Sequence, residues 1–483
     1  MILFVLISIP LAAAALSSSS SQARFGSMIS VIGAVAALAL SGWVAVDVIT
    51  SSKHVLVAIP GWIAIDALGA LILLLIAVVN VTATLFSVGY MDFTTTGDSH
   101  RYYLNFNLFV FSMFIVPLLQ EPNIVWIAVE LTTLFSVLLV GFENTREALE
   151  AAWKYVVLTL MGAAIALLGF LVLYWAARQA GITHYTWAGL EAGAPQMSPV
   201  LLKAAFTLIL VGFGAKVGLV PLHTWLPDAH SQAPTPVCAL LSGIETTAVL
   251  YVILRLLPVM SAAPAIHANT WLLIFGLISV GTAAFLLLRV RDYKRLFAFS
   301  TVEHMGIILA AFGLGGTAAH TAAMLQIVGH TLTKSFCFYT AGSVLQMTGT
   351  RNIASVRSVI RRSPLIGVAL LLGGLAIAGA PPFVLFLSEF SILRAGLNQG
   401  EYLTTGLLVF FIAIAFFAIM NHIGRMVFGS TEVGDPIRPY VLPVSSRMTL
   451  ILAVVPVIVL GVYIPGPLQQ LITLAAAVLG GRG

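Results

Sequence analysis

One lysine, Lys216, stands inside an apolar run of the chain that extends from Leu201 to Leu222. A bilayer cannot solvate an ammonium group, and an ammonium at the centre of a span costs at least ~2.5–3.5 kcal/mol. Gly218 and Pro221 follow at once, and because proline lacks an N–H and clashes with the carbonyl four residues back, they predict a helix break. A lysine beside a break at membrane depth indicates an ion-handling site. The alternative, a lysine that reaches out to the interface, fits poorly with apolar residues on both sides.

Other ionisable side chains lie in separate apolar segments: Glu130, Glu303, His304, His330, Lys334 and Glu389. Glu130 is the predicted partner of Lys216. Burial disfavours a charged lysine and a nearby carboxylate favours it, so movement of the carboxylate would load or unload a proton. His304 could relay protons because histidine titrates near neutral pH, and His330 and Lys334, four residues apart, share a helix face. The competing interpretations are a static buried ion pair and a hydrogen-bonded core histidine.

Hydroxyl side chains near these groups could hold bridging waters, because no single side chain spans the gaps: Ser231, Thr235, Thr246, Thr247, Thr331 and Thr333. His223, Asp228 and His230 invite a metal interpretation, which the lack of a cysteine or second carboxylate disfavours. The sequence has no CxxC pair, glycine-rich phosphate loop or nucleophile elbow. It therefore predicts no cofactor and no redox centre belonging to this chain.

The elements that would position these groups are membrane helices. Of the 483 residues, 60% are hydrophobic and only 8% are charged, whereas a soluble protein has about one quarter charged residues. Fourteen apolar segments, from 1–16 to 447–477, approach the ~20 residues that a span requires. The sequence predicts an all-α polytopic membrane protein of about 14 transmembrane helices.

The basic residues predict the orientation of these helices. The net charge of +5 is scattered over short loops, so nucleic acid is not an expected partner. Fifteen of the 23 basic residues fall in the loops that follow odd-numbered spans and six fall on the other side. The positive-inside rule places the fifteen in the cytoplasm and both termini outside, in a bacterial or archaeal cytoplasmic (inner) membrane.

Two predicted breaks lie five spans apart, Gly218 to Pro221 in the seventh span and Gly379 to Pro382, with Pro381, in the twelfth. An odd number of spans between equivalent elements gives the two copies opposite topology, and paired broken helices are typical of inverted-repeat transporters. The sequence thus predicts two inverted five-helix repeats at 103–259 and 270–428. A three-helix segment, 1–102, precedes them, and a loop with the last span, 429–483, follows.

Four motifs around these residues resemble one family. KVGLVPLHTWLPDAHSQAPTPVCALLSG begins at Lys216, and RDYKRLFAFSTVEHMG, HTLTKSFCFYTAG and GAPPFVLFLSEF follow it. They resemble the antiporter-like membrane subunits of proton-pumping NADH:quinone oxidoreductase, of group 4 hydrogenases and of multisubunit sodium/proton antiporters. The resemblance implies a 14-helix fold with a central hydrophilic axis. It assigns proton-translocation roles to Glu130, Lys216, His304, His330, Lys334 and Glu389.

The eighth span departs from the family pattern. Its relatives in NADH:quinone oxidoreductase place a lysine or histidine four residues after the glycine of LLSG, where this chain has Thr247. Glu245 stands two residues earlier, where an apolar residue is common. On a regular helix two residues are about 200° apart. Thr247 is therefore predicted as a waypoint on the axis, and Glu245 is expected to face a sister subunit or a second polar pocket.

The predicted function is proton translocation in a membrane subunit of a hydrogenase-4-type or related respiratory complex, most like the F-type subunits of hydrogenase-4. Its expected partners are other membrane subunits, the lipid bilayer and a peripheral redox arm with iron–sulfur and nickel or quinone sites. Two alternatives stay open, a subunit of a multisubunit sodium/proton antiporter and a structural anchor that no longer pumps.

Overall fold

Long apolar helices make up most of the chain in the computed structural model, which describes residues 1–19, 23–92, 98–263, 267–430 and 439–480. Within these ranges, ten helices are long and apolar enough to cross a membrane, and three shorter apolar helices accompany them. The prediction of an all-α polytopic membrane protein is confirmed. Two of the 23 basic residues counted for the predicted orientation, Arg438 and Arg482, lie outside the described residues.

The N-terminal part contains three helices and a small hairpin: α1 (Ile2–Ser18), α2 (Ala23–Thr50), β1 (Val55–Ile59), β2 (Ile63–Asp66) and α3 (Ala67–Met91). The two strands pair antiparallel. The third of the fourteen predicted segments was 63–89, so the assignment of residues 63–66 to a membrane span is wrong. Asp66 instead caps α3, because its side chain accepts a hydrogen bond from the Gly69 N–H at 3.0 Å.

The first five-span set comprises α4 (Ser99–Ile115), α5 (Pro122–Val140), α6 (Arg146–Gln179), α7 (Trp187–Gly193), α8 (Pro199–Val217), α9 (Trp225–Gln232), α10 (Thr235–Leu240), α11 (Thr246–Leu254) and α12 (Leu257–Ala262). Between α10 and α11 lies a π-helical segment, Leu241–Glu245. A 3-10 turn, Val116–Leu118, follows α4.

The second set and the C-terminal part comprise α13 (Ala268–Leu287), α14 (Tyr293–Leu314), α15 (Gly316–Thr348), α16 (Val359–Arg362), α17 (Pro364–Ile377), α18 (Val384–Asn398), α19 (Tyr402–Phe428), α20 (Val444–Val462) and α21 (Gly466–Leu479). Small residues let neighbouring helices approach closely. A Cβ at Gly276 on α13 would lie 2.7 Å from the Gly306 carbonyl oxygen on α14.

Both predicted breaks are present. Helix α8 ends at Gly218, which has a φ of 88°, a conformation that glycine adopts without steric cost. Gly379, with a φ of 72°, follows α17, and α18 starts only after Pro381 and Pro382. The broken spans thus occupy the same place in the two five-span sets, as inverted repeats require. The domain boundaries 1–102, 103–259, 270–428 and 429–483 stay a prediction, and α4 begins a few residues before the first boundary.

A third break interrupts the last apolar segment, which the sequence analysis treated as one span, 447–477. Helix α20 ends at Val462, and α21 begins after Pro465. A Cβ added at Gly461 would lie 1.9 Å from the Pro382 carbonyl oxygen. The end of α20 is therefore packed against the break between α17 and α18.

Candidate functional site

Lys216 is buried in the last turn of α8, with only 2% of its surface exposed. Its ammonium donates to α5, to the Val129 carbonyl at 2.5 Å and to the Thr132 and Thr133 hydroxyls at 2.7 and 2.5 Å. The C-terminal end of a helix carries partial negative charge, which favours a cation there. The break after Lys216 thus leaves the ammonium at a helix end with every donor satisfied.

Glu245, in the π-helical segment, is the acidic partner of Lys216. The Lys216 Nζ lies 3.7 Å from the Glu245 Oε1, and each residue is 2% exposed. The same oxygen accepts hydrogen bonds from Thr132 at 2.9 Å and from the Tyr155 hydroxyl at 3.2 Å. A buried ion pair requires such additional hydrogen bonds to offset the loss of hydration.

Glu130, the predicted partner of Lys216, does not pair with it in this structure. Both of its carboxylate oxygens are buried, and among the described residues neither has a hydrogen-bond partner. The pairing of Lys216 with Glu130 is thus corrected to a pairing with Glu245. Two buried carboxylates lie near one lysine, since Glu130 and Glu245 both interact electrostatically with it.

Glu245 was expected to face away from Lys216 because the prediction took the Thr247 side of the eighth span as the side of the axis. The prediction also assumed a regular α-helix throughout the eighth span. Leu241–Glu245 instead forms i→i+5 hydrogen bonds, which widen the helical turn. The register of the eighth span therefore shifts just before α11. Glu245 faces α5 and α6 inside the chain, not a sister subunit or a separate pocket.

Two histidines form the start of a second cluster. The Nε2 of His304 lies 3.0 Å from the Ile377 carbonyl, and the Nε2 of His330 lies 3.1 Å from the Ser242 carbonyl. A carbonyl only accepts, so each Nε2 carries the proton. The Nδ1 of His304 then accepts from the Gln326 amide at 3.0 Å, and the two rings lie 5.5 Å apart between centroids.

Glu389, on α18, closes this cluster at the second broken span. Its Oε1 accepts from the Gln326 amide at 3.4 Å and lies 3.9 Å from the His304 Nδ1. A Cβ at Gly379 would lie 2.3 Å from the other carboxylate oxygen. The glycine at the break therefore makes room for the carboxylate, although Glu389 follows its break and Lys216 precedes its own.

Lys334 and Glu303 complete the ionisable groups of the second cluster. Lys334 is fully buried and donates to the Phe297 carbonyl at 2.6 Å and to the Ser300 hydroxyl, both on α14. One carboxylate oxygen of Glu303 has no hydrogen-bond partner among the described residues. Glu303 interacts electrostatically with Glu389 and Lys334, so the structure places it in the second cluster, and its role in proton translocation stays a prediction.

The π-helical segment lies between the two clusters. Its Ser242 carbonyl contacts His330, its Ser242 hydroxyl bonds Thr301 at 2.6 Å, and its last residue is Glu245. One short segment therefore contacts the Lys216 pair at one end and the histidine cluster at the other. Segments of this type are frequent at functional sites.

Three of the six predicted water-holding hydroxyls have no partner among the described residues. These are Thr247, Thr331 and Thr333. The other three donate to neighbouring groups: Ser231, Thr235 and Thr246. Buried hydroxyls without a protein partner are sites where water is ordinarily held, and the role of Thr247 as a waypoint stays a prediction.

The candidate metal residues do not converge. Asp228 is bound instead by Lys154 at 3.1 Å and by Arg295 at 2.5 Å. His230 is fully buried between the rings of Trp225 and Phe338. Across the described ranges, no three His, Cys, Asp or Glu side chains are placed to hold a metal ion.

Comparison with known proteins assigns the family. The profile of the family described as "NADH:quinone oxidoreductase/Mrp antiporter, TM" matches residues 123–416. The "Hydrogenase-4 component F homolog" of Methylacidiphilum infernorum (isolate V4) is 38% identical over 405 residues, which are 81% of this chain and 83% of that protein. The chain belongs to this family.

Two further relatives of this antiporter-like subunit broaden the comparison. The "NADH-quinone oxidoreductase subunit N" of Geotalea uraniireducens (strain Rf4) is 29% identical over 75% of this chain and 76% of that protein. A chain of the membrane-bound sulfane sulfur reductase, an archaeal respiratory membrane complex, superposes with a TM-score of 0.90 at 25% identity, covering 99% of this chain and 98% of that chain. The family resemblance drawn from the four motifs is confirmed, and the chain is a multi-pass membrane protein.

The sequence analysis missed several residues of this antiporter-like subunit's polar axis: Thr132, Tyr155, Ser242, Gln326 and the role of Glu245. Gln326 had a signal, since it stands four residues before His330 and eight before Lys334, on one face of α15. Tyr155 had none, because its contact with Glu245 depends on how α6 packs against the eighth span.

Proposed function

We propose that this chain translocates protons as a membrane subunit of a hydrogenase-4-type or related respiratory complex. The observation that supports it is the row of buried ionisable groups that runs from Glu130 and the Lys216–Glu245 pair through His330 and His304 to Glu389. Lys216 and Glu389, near the two ends of the row, each lie on a broken span. Ionisable residues at membrane depth are costly and mark ion pathways.

The proposed mechanism uses competition between two carboxylates for one lysine. Lys216 is paired with Glu245 in this structure, while Glu130 is buried without a hydrogen-bond partner. A carboxylate that loses a cationic neighbour inside a protein favours its protonated form. Movement of the Lys216 ammonium between Glu245 and Glu130 would therefore bind a proton at one acid as it releases one at the other.

The histidine cluster would receive that proton. Each neutral ring holds its proton on Nε2 and presents an unprotonated Nδ1, on His304 to Gln326 and on His330 to no partner among the described residues. An imidazole ring that accepts a proton on Nδ1 and releases one from Nε2 has relayed a proton. The ring must then return to its first tautomer, with the proton on Nε2, before it can relay another. Glu389, beside Gln326, is the proposed terminal group.

A non-pumping anchor fits these groups poorly. An anchor gains nothing from Lys216, Lys334 and Glu303 in its interior, where replacement of ionic groups by apolar ones is often neutral or stabilising. A sodium/proton antiporter subunit keeps the same axis with a different partner complex, and the family profile, which names both kinds of protein, leaves it as the second candidate.

The proposed partners are other membrane subunits and a peripheral redox arm with iron–sulfur and nickel or quinone sites. The relatives named above are a hydrogenase-4 component homolog, a subunit of an NADH-quinone oxidoreductase and a chain of an archaeal respiratory membrane complex, which supports a multisubunit membrane assembly. This chain would carry no redox chemistry and would use the energy of that arm through movement of its polar axis. The proposed location is a bacterial or archaeal cytoplasmic membrane, with both termini outside.

Replacement of Lys216 tests the proposal. In Lys216→Met, driven proton uptake by vesicles that contain the assembled complex should fall by roughly 10²-fold or more, the scale of a lost proton-transfer group. Lys203→Met is the matched control, since Lys203 lies on the same helix but is exposed, and it should pump normally. Normal pumping by an assembled Lys216→Met complex would refute proton translocation along this axis.

A further inference from the structure

Three buried residues of the eighth span form a polar stripe that runs from Thr247, the predicted waypoint, to the end of α11. Thr247 and Tyr251 on α11 and Arg255 directly after it follow one another at intervals of four, so they share one face of the helix. The Arg255 Nε donates to the Tyr251 hydroxyl at 2.8 Å. The Tyr251 hydroxyl donates in turn to the Pro117 carbonyl at 3.3 Å.

The stripe ends at a bidentate ion pair. The two terminal nitrogens of Arg255 donate to Asp66 at 2.5 and 2.6 Å, and the side chains are 6% and 17% exposed. Burial alone would raise the pKa of Asp66, but the charge and hydrogen bonds of Arg255 hold that pKa below its usual value. The pair is thus ionised at neutral pH and joins the start of α3 to the end of α11.

A surface cavity of about 360 Å³ reaches this ion pair. Asp66 and Arg255 form part of its lining, together with polar side chains from the loop before β1, the loop before α5 and α7: Lys53, His54, Gln120 and Glu191. We call this end of the molecule the hairpin face. It is opposite the end where Asp228 and Arg295 pair, because the eighth span runs from one end to the other.

The inner end of the stripe meets the polar axis at the π-helical segment. Thr247 has a buried hydroxyl with no partner among the described residues, and so has Thr331 on α15. Gly243, four residues before Thr247, is packed against this part of α15, because a Cβ there would lie 3.2 Å from the Thr331 carbonyl oxygen. Unpartnered hydroxyls therefore line the junction between the axis and the stripe.

We propose that the stripe of Thr247, Tyr251 and Arg255 is the branch by which protons leave the axis toward the hairpin face, and that the Asp66–Arg255 pair is its gate. The inference rests on the proposed function and adds an exit to it. Arg255 puts a fixed positive charge at the lining of the cavity, which repels protons that would return from the cavity. The gate would open when α3 and the hairpin move away from α11 and Asp66 releases Arg255.

Removal of the arginine charge tests the gate in vesicles that hold the intact complex. With an imposed pH gradient and no substrate for the complex, Arg255→Gln should raise passive proton flux about tenfold or more, because the charge barrier and the seal are lost. The double variant Arg255→Gln with Thr247→Val should return the flux toward that of the unaltered complex. Arg178→Gln, an exposed arginine at the hairpin-face end of α6, is the control and should not leak.

A thiol probe reports on the branch independently of proton flux. The native cysteines, Cys238 and Cys337, are both buried. A membrane-impermeant thiol reagent applied to the hairpin face should therefore label Thr247→Cys much faster when Arg255→Gln is also present. A purely structural ion pair predicts no such dependence between the two positions.

Three outcomes overturn the gate. The first is an assembled Arg255→Gln complex that shows neither a proton leak nor faster labelling of Thr247→Cys. The second is a proton leak that persists unchanged in the double variant, and the third is unaltered proton pumping by Tyr251→Phe. The last variant keeps the ion pair but removes the hydroxyl, and it should slow driven translocation without a leak, so it tests the branch even when Arg255→Gln does not assemble. Failure of the gate leaves the effect of Lys216→Met intact, whereas normal pumping by Lys216→Met refutes the axis itself.

Discussion

At the residue scale, the two glutamates near Lys216 differ in how they are held. Glu245 accepts hydrogen bonds from Thr132 and Tyr155 in addition to its ion pair, whereas Glu130 has no hydrogen-bond partner among the described residues. Removal of one member of a buried ion pair typically costs about 3–5 kcal/mol, because the other charge is left unpaired. Glu245 is therefore the carboxylate that holds the Lys216 ammonium in the position seen in this structure.

Glu245→Gln should lower driven proton translocation by about tenfold or more, since an amide keeps the shape but neither pairs with Lys216 nor takes up a proton. Because Thr247 can only hold a water, Thr247→Val should have a smaller effect. This order reverses the one that the regular-helix prediction implies. Proton uptake by vesicles with the intact complex measures both variants.

The matched control is Glu147→Gln, an exposed glutamate in the first turn of α6, which should pump at the rate of the unaltered complex. A larger loss with Thr247→Val than with Glu245→Gln would show that protons bypass the Lys216–Glu245 pair.

Most residues of the axis could be predicted because charge inside an apolar run is visible in the sequence. Lys216, Glu303, Lys334 and Glu389 are recognisable this way, since each is expensive to bury without a role. Which of them pair could not be predicted. The choice of Glu245 over Glu130 depends on how α5, α6 and the eighth span pack around Lys216.

At the element scale, the π-helical segment depends on close contact with α15. A Cβ at Gly243 would lie 2.8 Å from the Ser335 hydroxyl and 3.2 Å from the Thr331 carbonyl oxygen. The Ser242 carbonyl, one residue earlier, accepts from His330. Any shift of the segment away from α15 would lengthen that hydrogen bond.

Gly243→Ala should therefore reduce driven translocation about tenfold while the complex still assembles, because the relay step at His330 loses its alignment. The measurement is proton uptake together with the amount of complex in the membrane. Gly406→Ala on α19 is the control. No heavy atom outside its own helix lies within 4 Å of a Cβ there, and alanine favours the helix by about 0.5–1 kcal/mol. Equal pumping by the two variants would contradict a role for this contact.

The elements were predictable wherever glycine and proline interrupt an apolar run. Gly218 with Pro221, and Gly379 with Pro381 and Pro382, predicted both breaks. The hairpin and the split between α20 and α21 carry the same signals, Pro60–Gly61 and Pro465–Gly466. The hairpin was missed because its second strand was included in the predicted third span, 63–89. The split between α20 and α21 was missed because the apolar residues on both sides of Pro465–Gly466 were merged into one span.

At the scale of the whole molecule, the distribution of basic residues predicts the orientation in the membrane. A reporter fused after Gly483 and one inserted within 351–362 should report opposite sides, with the insertion in the cytoplasm, since the loop carries Arg351, Arg357, Arg361 and Arg362. Enzymatic reporters active on only one side of the membrane measure this. A C-terminus found in the cytoplasm would require an odd number of spans.

The shared π-helical segment also has a thermodynamic consequence. When two sites are connected through one structural element, the coupling free energy between them is reciprocal. If a change at the Lys216–Glu245 pair alters the proton affinity of the His330 and His304 cluster by some factor, proton binding at that cluster alters the proton affinity of the pair by the same factor. The two ends of this antiporter-like subunit can therefore act as donor and receiver in either direction, and the direction of net proton flow must be set by what the partner subunits do, not by the axis itself.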